Sequence, residues 1–273
     1  AAQALKFIRD NKERPFFLYY PTTVPHLALQ VPEDSLKEFE GRFPEKPYPG
    51  GRGYLPHRTP RAAYAAMIAL LDAHVGRVLA ALDRTGVAGR TLVVFSSDNG
   101  TTHGGPAGTK FHVGGADPAF FNSTAGLRGF KGSVFEGGIR VPFIVSWPSR
   151  IAPRALDTPV ISLDATATAL ALAGISSTPS PLDGVNLWPL LSGKSAAAPH
   201  AALYWRVGER HAIRHGDWKL LLTTDAKRVA LHRLTTDRAE AVDVAKDHPE
   251  IVARLTQLAL AWKATLPTTV DAS

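Results

Sequence analysis

Two polar constellations in this chain carry residue types able to do chemistry. Asp98-Asn99-Gly100 directly follows a β-branched apolar run from Thr91 to Ser97, so a carboxylate and an amide oxygen stand together just beyond a strand's end. These are hard oxygen donors of the kind Ca2+ or Mg2+ takes, and the glycine admits a tight turn. The same three residues also make an ordinary turn, and two side chains supply at most about three of the six to eight oxygens that calcium takes. The second constellation runs from Leu127-Arg128-Gly129-Phe130-Lys131-Gly132 through Phe135-Glu136-Gly137-Gly138-Ile139-Arg140-Val141-Pro142. A lysine flanked by glycines approaches an anion closely as a point charge, although a solvated loop lysine has the same spacing.

The elements that must position these loops follow from periodicity. Phe16–Tyr20, Leu92–Ser97 and Phe143–Trp147 are short apolar runs that predict buried strands. Tyr64 to Leu82 predicts a helix with Ile68, Leu71, Val75, Val78, Leu79 and Leu82 on its buried stripe, and Leu163 to Leu172 predicts another. Helix followed by a strand apolar on both faces predicts an α/β fold, a parallel or mixed sheet covered by helices, and in such sheets ligands bind beyond the carboxyl ends of the strands. The stretch from Thr22 to Pro60 is loop-like and too long to be a mere connector. After about Ser195 the texture changes to short runs, at His211–Arg214, Trp218–Leu222 and Val229–His232, which predict an antiparallel meander. A closing helix over Ile251–Leu266 carries Ile251, Leu255, Leu258 and Trp262 as its stripe, with Asp247 and Glu250 as a capping box. His211, His215 and His232 have no metal-ligand spacing and read as surface or strand-packing histidines. This divides the chain into residues 1–195, an α/β core, and 196–273, a small α+β subdomain.

Composition bounds the rest. With 45% hydrophobic and 20% charged residues across 273 positions, the chain is an ordinary globular one rather than disordered or fibrous. The absence of cysteine removes disulfides, thiolate metal sites and thiol nucleophiles. A formal net charge of +7 favours anionic partners, but the basic residues are scattered, which argues against nucleic acid. No run reaches the roughly 18–20 uninterrupted apolar residues of a membrane span. The chain opens on Ala1-Ala2-Gln3-Ala4-Leu5, without Met or N-cap, as a helix already under way, and we expect it to be part of a longer protein.

Taken in order, Pro15-Phe16-Phe17-Leu18-Tyr19 with Pro25-His26, the helix through Leu71-Asp72 and Val75-Gly76, Val93-Val94-Phe95-Ser96-Ser97-Asp98-Asn99-Gly100, and the Arg128-to-Pro142 segment resemble the sulfatase family. These are the formylglycine-dependent sulfuric ester hydrolases of the alkaline-phosphatase-like superfamily, in their arylsulfatase-type form. Arg214-His215-Gly216-Asp217-Trp218-Lys219-Leu220 and the closing helix are similar to the family's C-terminal subdomain. The resemblance implies an alkaline-phosphatase-like fold and Asp98 and Asn99 as two ligands of Ca2+ (or Mg2+). It implies Lys131 on the sulfate, and His26 on the sulfate or the leaving oxygen as a general acid. His103 is a further substrate-binding candidate or an exposed loop histidine. The implied partner is a sulfate ester, aryl or carbohydrate, and the implied location is periplasmic or secreted.

The chain departs from the family at the nucleophile. Sulfatases carry an N-terminal Asp-Asp pair on the metal and a Cys or Ser within C/S-x-P-S-R that becomes formylglycine. Here there is no Asp-Asp. Ser146-Trp147-Pro148-Ser149-Arg150 spells the motif, but after the other motifs and inside an apolar run, where it reads as the end of a strand. The expectation is the C-terminal part of a sulfatase whose formylglycine lies in an N-terminal half outside this chain, so that this chain alone is inactive. A phosphoester hydrolase of the same superfamily, which would show more Asp and His ligands, and a non-catalytic anion-binding pseudo-sulfatase are the alternatives.

Overall fold

The computed structural model describes residues 1–51, 53–102, 114–176, 178–227 and 229–267. The helices are α1 (Ala2–Asn11), α2 (Glu33–Lys37), α3 (Pro60–Arg84), α4 (Glu136–Ile139), α5 (Leu163–Leu172), α6 (Trp188–Leu191) and α7 (Pro249–Lys263). The strands are β1 (Val93–Ser96), β2 (Phe143–Ser146), β3 (Leu203–Val207), β4 (Arg210–His215), β5 (Trp218–Thr223) and β6 (Val229–Arg233). The chain forms two compact units: Ala1–Phe95 with Thr102–Ser123 and Ile144–Ala152, and Ser96–Thr101 with Thr124–Phe143 and Pro153–Ser273.

In the first unit, α1 packs on α3 through Leu5, Ile8, Ala81, Leu82 and Val87, with Phe16, Leu18 and Val93 against the cluster. β1 and β2 pair as a two-stranded sheet. The predicted third strand, Phe16–Tyr20, is extended but joins no ladder among the described residues. It keeps a strand's alternation, with Phe16 and Leu18 inward while Phe17 and Tyr19 are 74% and 76% exposed. The strands also differ from the expectation of burial on both faces, since Val94 and Ile144 lie exposed on the alternate face.

Helix α3 begins at Pro60, four residues earlier than its periodicity predicts, because Pro is suited to the first helical turn. Its side-chain cap comes from the preceding loop: the Glu45 carboxylate accepts the Arg61 and Ala62 backbone N–H groups at 3.1 and 2.8 Å. The buried stripe matches the prediction only in part, at Leu82 and at Val78, which packs against the same cluster. Ala62, Ala63, Ala66, Met67, Ala81 and Leu82 are buried, whereas Ile68 and Leu79 are exposed. Small alanines let α1 and α2 approach closely, and that contact decides the stripe more than side-chain size does. By length and mean hydropathy α3 is long and apolar enough to cross a membrane, although Asp72 and Arg77 interrupt its apolar run as the sequence expectation held; it contacts α1 and α2 within this unit.

In the second unit, β3-β4-β5-β6 form the expected antiparallel meander, with Ile213 opposite Leu220 and Leu220 opposite Leu231. Those residues and Leu222 face α7, where Leu255 and Ala259 complete the core, each large apolar side chain contributing about 1.5–3 kcal/mol relative to exposure. Trp262 stacks on Tyr204 at 5.1 Å. The predicted capping box does not form: His248 is the N-cap residue, with no side-chain cap, and Pro249 opens the helix. Helix α5 spans its predicted residues, and its buried Asp164 accepts N–H groups from Ile161 and Val185 and pairs with His200 at 2.9 Å.

The loop after β1 and the segment Arg128–Arg140 are knitted by backbone. Lys131 N–H donates to the Thr101 carbonyl at 2.8 Å, Gly100 to Gly138 at 2.9 Å, and Gly137 to Arg128 at 2.7 Å. Glycine is required here: a Cβ on Gly100 would stand 1.9 Å from the Gly137 oxygen, and one on Gly137 2.4 Å from the Gly129 oxygen. Gly100→Ala should therefore destabilise the protein by about 1–3 kcal/mol in urea unfolding. Gly76→Ala, in α3 with nothing within 4 Å, should stabilise it by about 0.5–1 kcal/mol.

A second expectation concerns acid. His211 is buried in β4, with Nε2 3.0 Å from Thr224 Oγ1. Burial first, then Arg206 and Lys263, hold its pKa below the ordinary 6.5. The unfolded chain takes up this proton before the folded one does. Its stabilising contribution is therefore complete above pH 6.5 and is lost as pH falls through the folded value. The urea midpoint should drop between pH 7.5 and 5, and His211→Gln should show a smaller drop.

Candidate functional site

Asp98 and Asn99 leave the end of β1 within the second unit, and Lys131 lies on the segment bonded to that loop. Asp98 is exposed and Asn99 half-buried. The Asn99 amide donates to the Gly100 carbonyl at 3.0 Å, which commits its N–H end and leaves Oδ1 as the acceptor end. Asp98 Oδ and Asn99 Oδ1 together fit a hard divalent cation by donor chemistry. They fall short in number: among the described residues no group of three or more His, Asp or Glu side chains converges as a metal site. Lys131 is half-buried, and its backbone N–H bond to Thr101 places it two positions from Asn99 along that bonded pair of segments. One ammonium and two oxygen donors are thus carried on one backbone-bonded piece.

His26 belongs to the first unit. Its neighbours Val24 and Leu27 pack against Leu29, Ala63 and Met67 at the start of α3, while its own side chain is exposed. The ring Nδ1 lies 2.6 Å from the Leu27 carbonyl, and the backbone N–H donates to Thr23 at 2.7 Å. A carbonyl can only accept, so Nδ1 carries the hydrogen in this contact and Nε2 is the ring's other nitrogen. His103 lies outside the described residues. Ser146 is the last residue of β2, and Trp147 Nε1 just after it donates to the Gly89 carbonyl at 2.9 Å.

Sequence reasoning missed the charged group that supports the Lys131 segment. Glu136, on α4, lies 2.8 Å from Lys219 Nζ, and Glu240 lies 2.9 Å from the same nitrogen. All three side chains are at most 3% exposed. Glu240 Oε2 also accepts the Glu136 backbone N–H at 2.6 Å, and the Glu240 carbonyl accepts from Arg128 at 2.9 Å. Arg140 stands 3.6 Å from the other Glu136 oxygen. Burial disfavours the charge of Arg214, and the Glu136 carboxylate supports it. The one signal available was Lys219 itself, a cation inside the apolar strand run Trp218-Lys219-Leu220-Leu221-Leu222.

A family model described as Sulfatase matches residues 1–175, and one described as N-sulphoglucosamine sulphohydrolase, C-terminal, matches residues 130–262. Bovine arylsulfatase A is 32% identical over 80% of this chain and 39% of its own length. An N-acetylgalactosamine-6-O-sulfatase of Bacteroides thetaiotaomicron is 30% identical over 94% of this chain and 48% of its own. The solved structure of Ps i-CgsB in complex with k-i-k-neocarrahexaose superposes with a TM-score of 0.77 at 28% identity, covering 96% of this chain and 53% of that one. The chain thus spans about half, or less, of the length of these relatives. Its mixed α/β architecture is the alkaline-phosphatase-like fold that sulfatases share. A match reaching from residue 1 to residue 175 decides the question of kinship: this chain belongs to the sulfatase family.

Proposed function

We propose that the protein hydrolyses sulfate esters, aryl or carbohydrate, and that this chain supplies the anion-binding lysine, two cation ligands and a leaving-group acid. The observation that carries the reading is the 2.8 Å bond from Lys131 N–H to the Thr101 carbonyl, which holds the ammonium-bearing residue on the same piece as Asp98 and Asn99. Family membership, a relative named N-acetylgalactosamine-6-O-sulfatase and a similar solved structure in complex with k-i-k-neocarrahexaose support the substrate class.

In this reading the Lys131 ammonium neutralises charge building on the sulfate oxygens as the ester S–O bond breaks. His26 in its protonated form gives the Nε2 proton to the departing oxygen, with Nδ1–H anchored on Leu27 so that the ring keeps its orientation. Asp98 and Asn99 Oδ1 would supply two of the ligands of a divalent cation, Ca2+ or Mg2+. The chemistry assigned to groups beyond these residues is nucleophilic attack by a formylglycine hydrate and neutralisation of the sulfate by the cation. We assign the formylglycine to a residue outside this chain, which makes the 273 residues inactive by themselves, and Ser146 to the strand that ends in it. A periplasmic or secreted location accords with the family.

The test uses the full-length protein against 4-nitrophenyl sulfate and a panel of sulfated saccharides. Lys131→Ala should lower turnover by about 10²–10³, the usual loss for one preorganised charge stabiliser. Ser146→Ala should leave turnover within about threefold of the parent. A folded Ser146→Ala protein without activity, together with oxidation of Ser146 seen by mass spectrometry, would place the nucleophile in this chain and overturn the assignment.

A further inference from the structure

The buried Lys219–Glu136–Glu240 group has no part in the chemistry just described, yet its side-chain bonds lead to the segment that carries Lys131. That segment is closed on itself by Gly137 N–H to the Arg128 carbonyl at 2.7 Å. Glu240 grips both of its ends: its carboxylate accepts the Glu136 N–H at 2.6 Å, and its own carbonyl accepts from Arg128 at 2.9 Å. Arg128 is held further over the Phe135 ring at 4.2 Å. Lys219 then joins the two carboxylates at 2.8 and 2.9 Å. Lys219 stands on the sheet face opposite α7, because the next residue, Leu220, faces that helix with its register partner Leu231, and strand side chains alternate. The segment's outer links, Gly100 to Gly138 and Lys131 to Thr101, pass the constraint to Asp98-Asn99.

We propose that Lys219 is a positioning residue for the sulfatase site, acting through Glu136 and Glu240 to hold the Arg128–Gly138 segment, and Lys131 on it, in register with the Asp98-Asn99 loop. The proposal rests on the sulfate-ester reading for its catalytic consequence, though not for its structural one. Without the ammonium, the Glu136 and Glu240 carboxylates lose the cation that joins them, Arg140 at 3.6 Å offsets their repulsion only from the far side of Glu136, and Glu136 is part of the segment itself. The group works by geometry: a displacement of Lys131 by about 1 Å is enough to cost a factor near 10² in turnover.

Two measurements on the full-length protein test this. In Lys219→Met, amide hydrogen exchange at Gly100, Lys131 and Gly137 should accelerate by about tenfold or more, while amides of α1 and α7 stay within about twofold. Exchange that is unchanged at the three amides, or raised equally throughout, overturns the proposal. Where the sulfate-ester panel is turned over, Lys219→Met should lower kcat by about 10–10² with little change in KM, and should have no further effect in a Lys131→Ala background. Additive effects of the two substitutions would mean that Lys219 does not act through Lys131. A parent protein that turns over no sulfate ester refutes the functional reading, and the exchange measurement still decides the positioning role. If Lys219→Met does not fold, Glu240→Gln, which keeps an acceptor for the Glu136 N–H, replaces it in both measurements.

Discussion

An ammonium with no exposed surface is the most demanding charge in the second unit. Lys219 Nζ sits within 2.9 Å of both Glu136 and Glu240. Removing such a charge from water costs several kcal/mol, which only close, hydrogen-bonded carboxylates offset; breaking a buried pair from one side typically costs about 3–5 kcal/mol. The fold is therefore obliged to bring three distant points of the chain to one place. Glu240 accepts a further demand, a φ of 53° in the left-handed region that a non-glycine residue enters at about 1–3 kcal/mol. Asp237 holds that turn by accepting the Ala241 and Val242 N–H groups at 3.0 and 2.9 Å.

The charge group fixes where the segment lies, and the glycines fix how closely it lies there. Gly100, Gly137 and Gly138 each place backbone where a Cβ would come within 2.4 Å of a carbonyl oxygen or nearer. Such contact makes the backbone bonds between the two segments possible, since any side chain would hold the strands of the loop apart. Glu136 next to Gly137 is where the two devices meet. A carboxylate there satisfies Lys219, and the following glycine lets the chain turn back to the Arg128 carbonyl. The run Phe135-Glu136-Gly137-Gly138 is thus a statement about packing as much as about chemistry.

That combination explains which parts of the molecule could be read from its sequence. Local patterns were legible: α5 keeps its predicted residues, the meander its strands, and α7 its stripe of Leu255 and Trp262. The candidate site was open to sequence reading only as an expectation from residue type and motif order, since Asp98-Asn99 and Lys131 lie far apart in the chain and their link, Lys131 N–H to the Thr101 carbonyl, is a backbone bond that residue types do not reveal. What failed depended on partners far away in sequence. The α3 cap is Glu45, 16 positions upstream of Arg61, where a local box cannot be seen. The stripe of α3 is set by alanines against α1 and α2, and Phe16–Tyr20 has the alternation of a strand without a ladder among the described residues. Glu136 meets Lys219 across 83 positions and Glu240 across 104, so no window of the sequence contains the group.

A lysine on a loop is a poor catalytic element unless its freedom has already been removed. Holding a long side chain and its backbone in one geometry costs about 1–2 kcal/mol for the peptide and up to about 2 for the side chain, and a loop that met this cost only on binding would lose it from affinity or rate. Here the backbone part is settled during folding, by Thr101, Gly138 and Arg128 within the segment pair and by Glu240 at both of its ends. The stability of the antiparallel sheet, through a strand that touches no substrate in this reading, is thereby coupled to the order of the loop that does. It follows that the meander after Leu203 is more than a closing layer. Its β5 strand carries Lys219 on the face away from the α7 core, where the ammonium meets Glu136 of the Lys131 segment and Glu240.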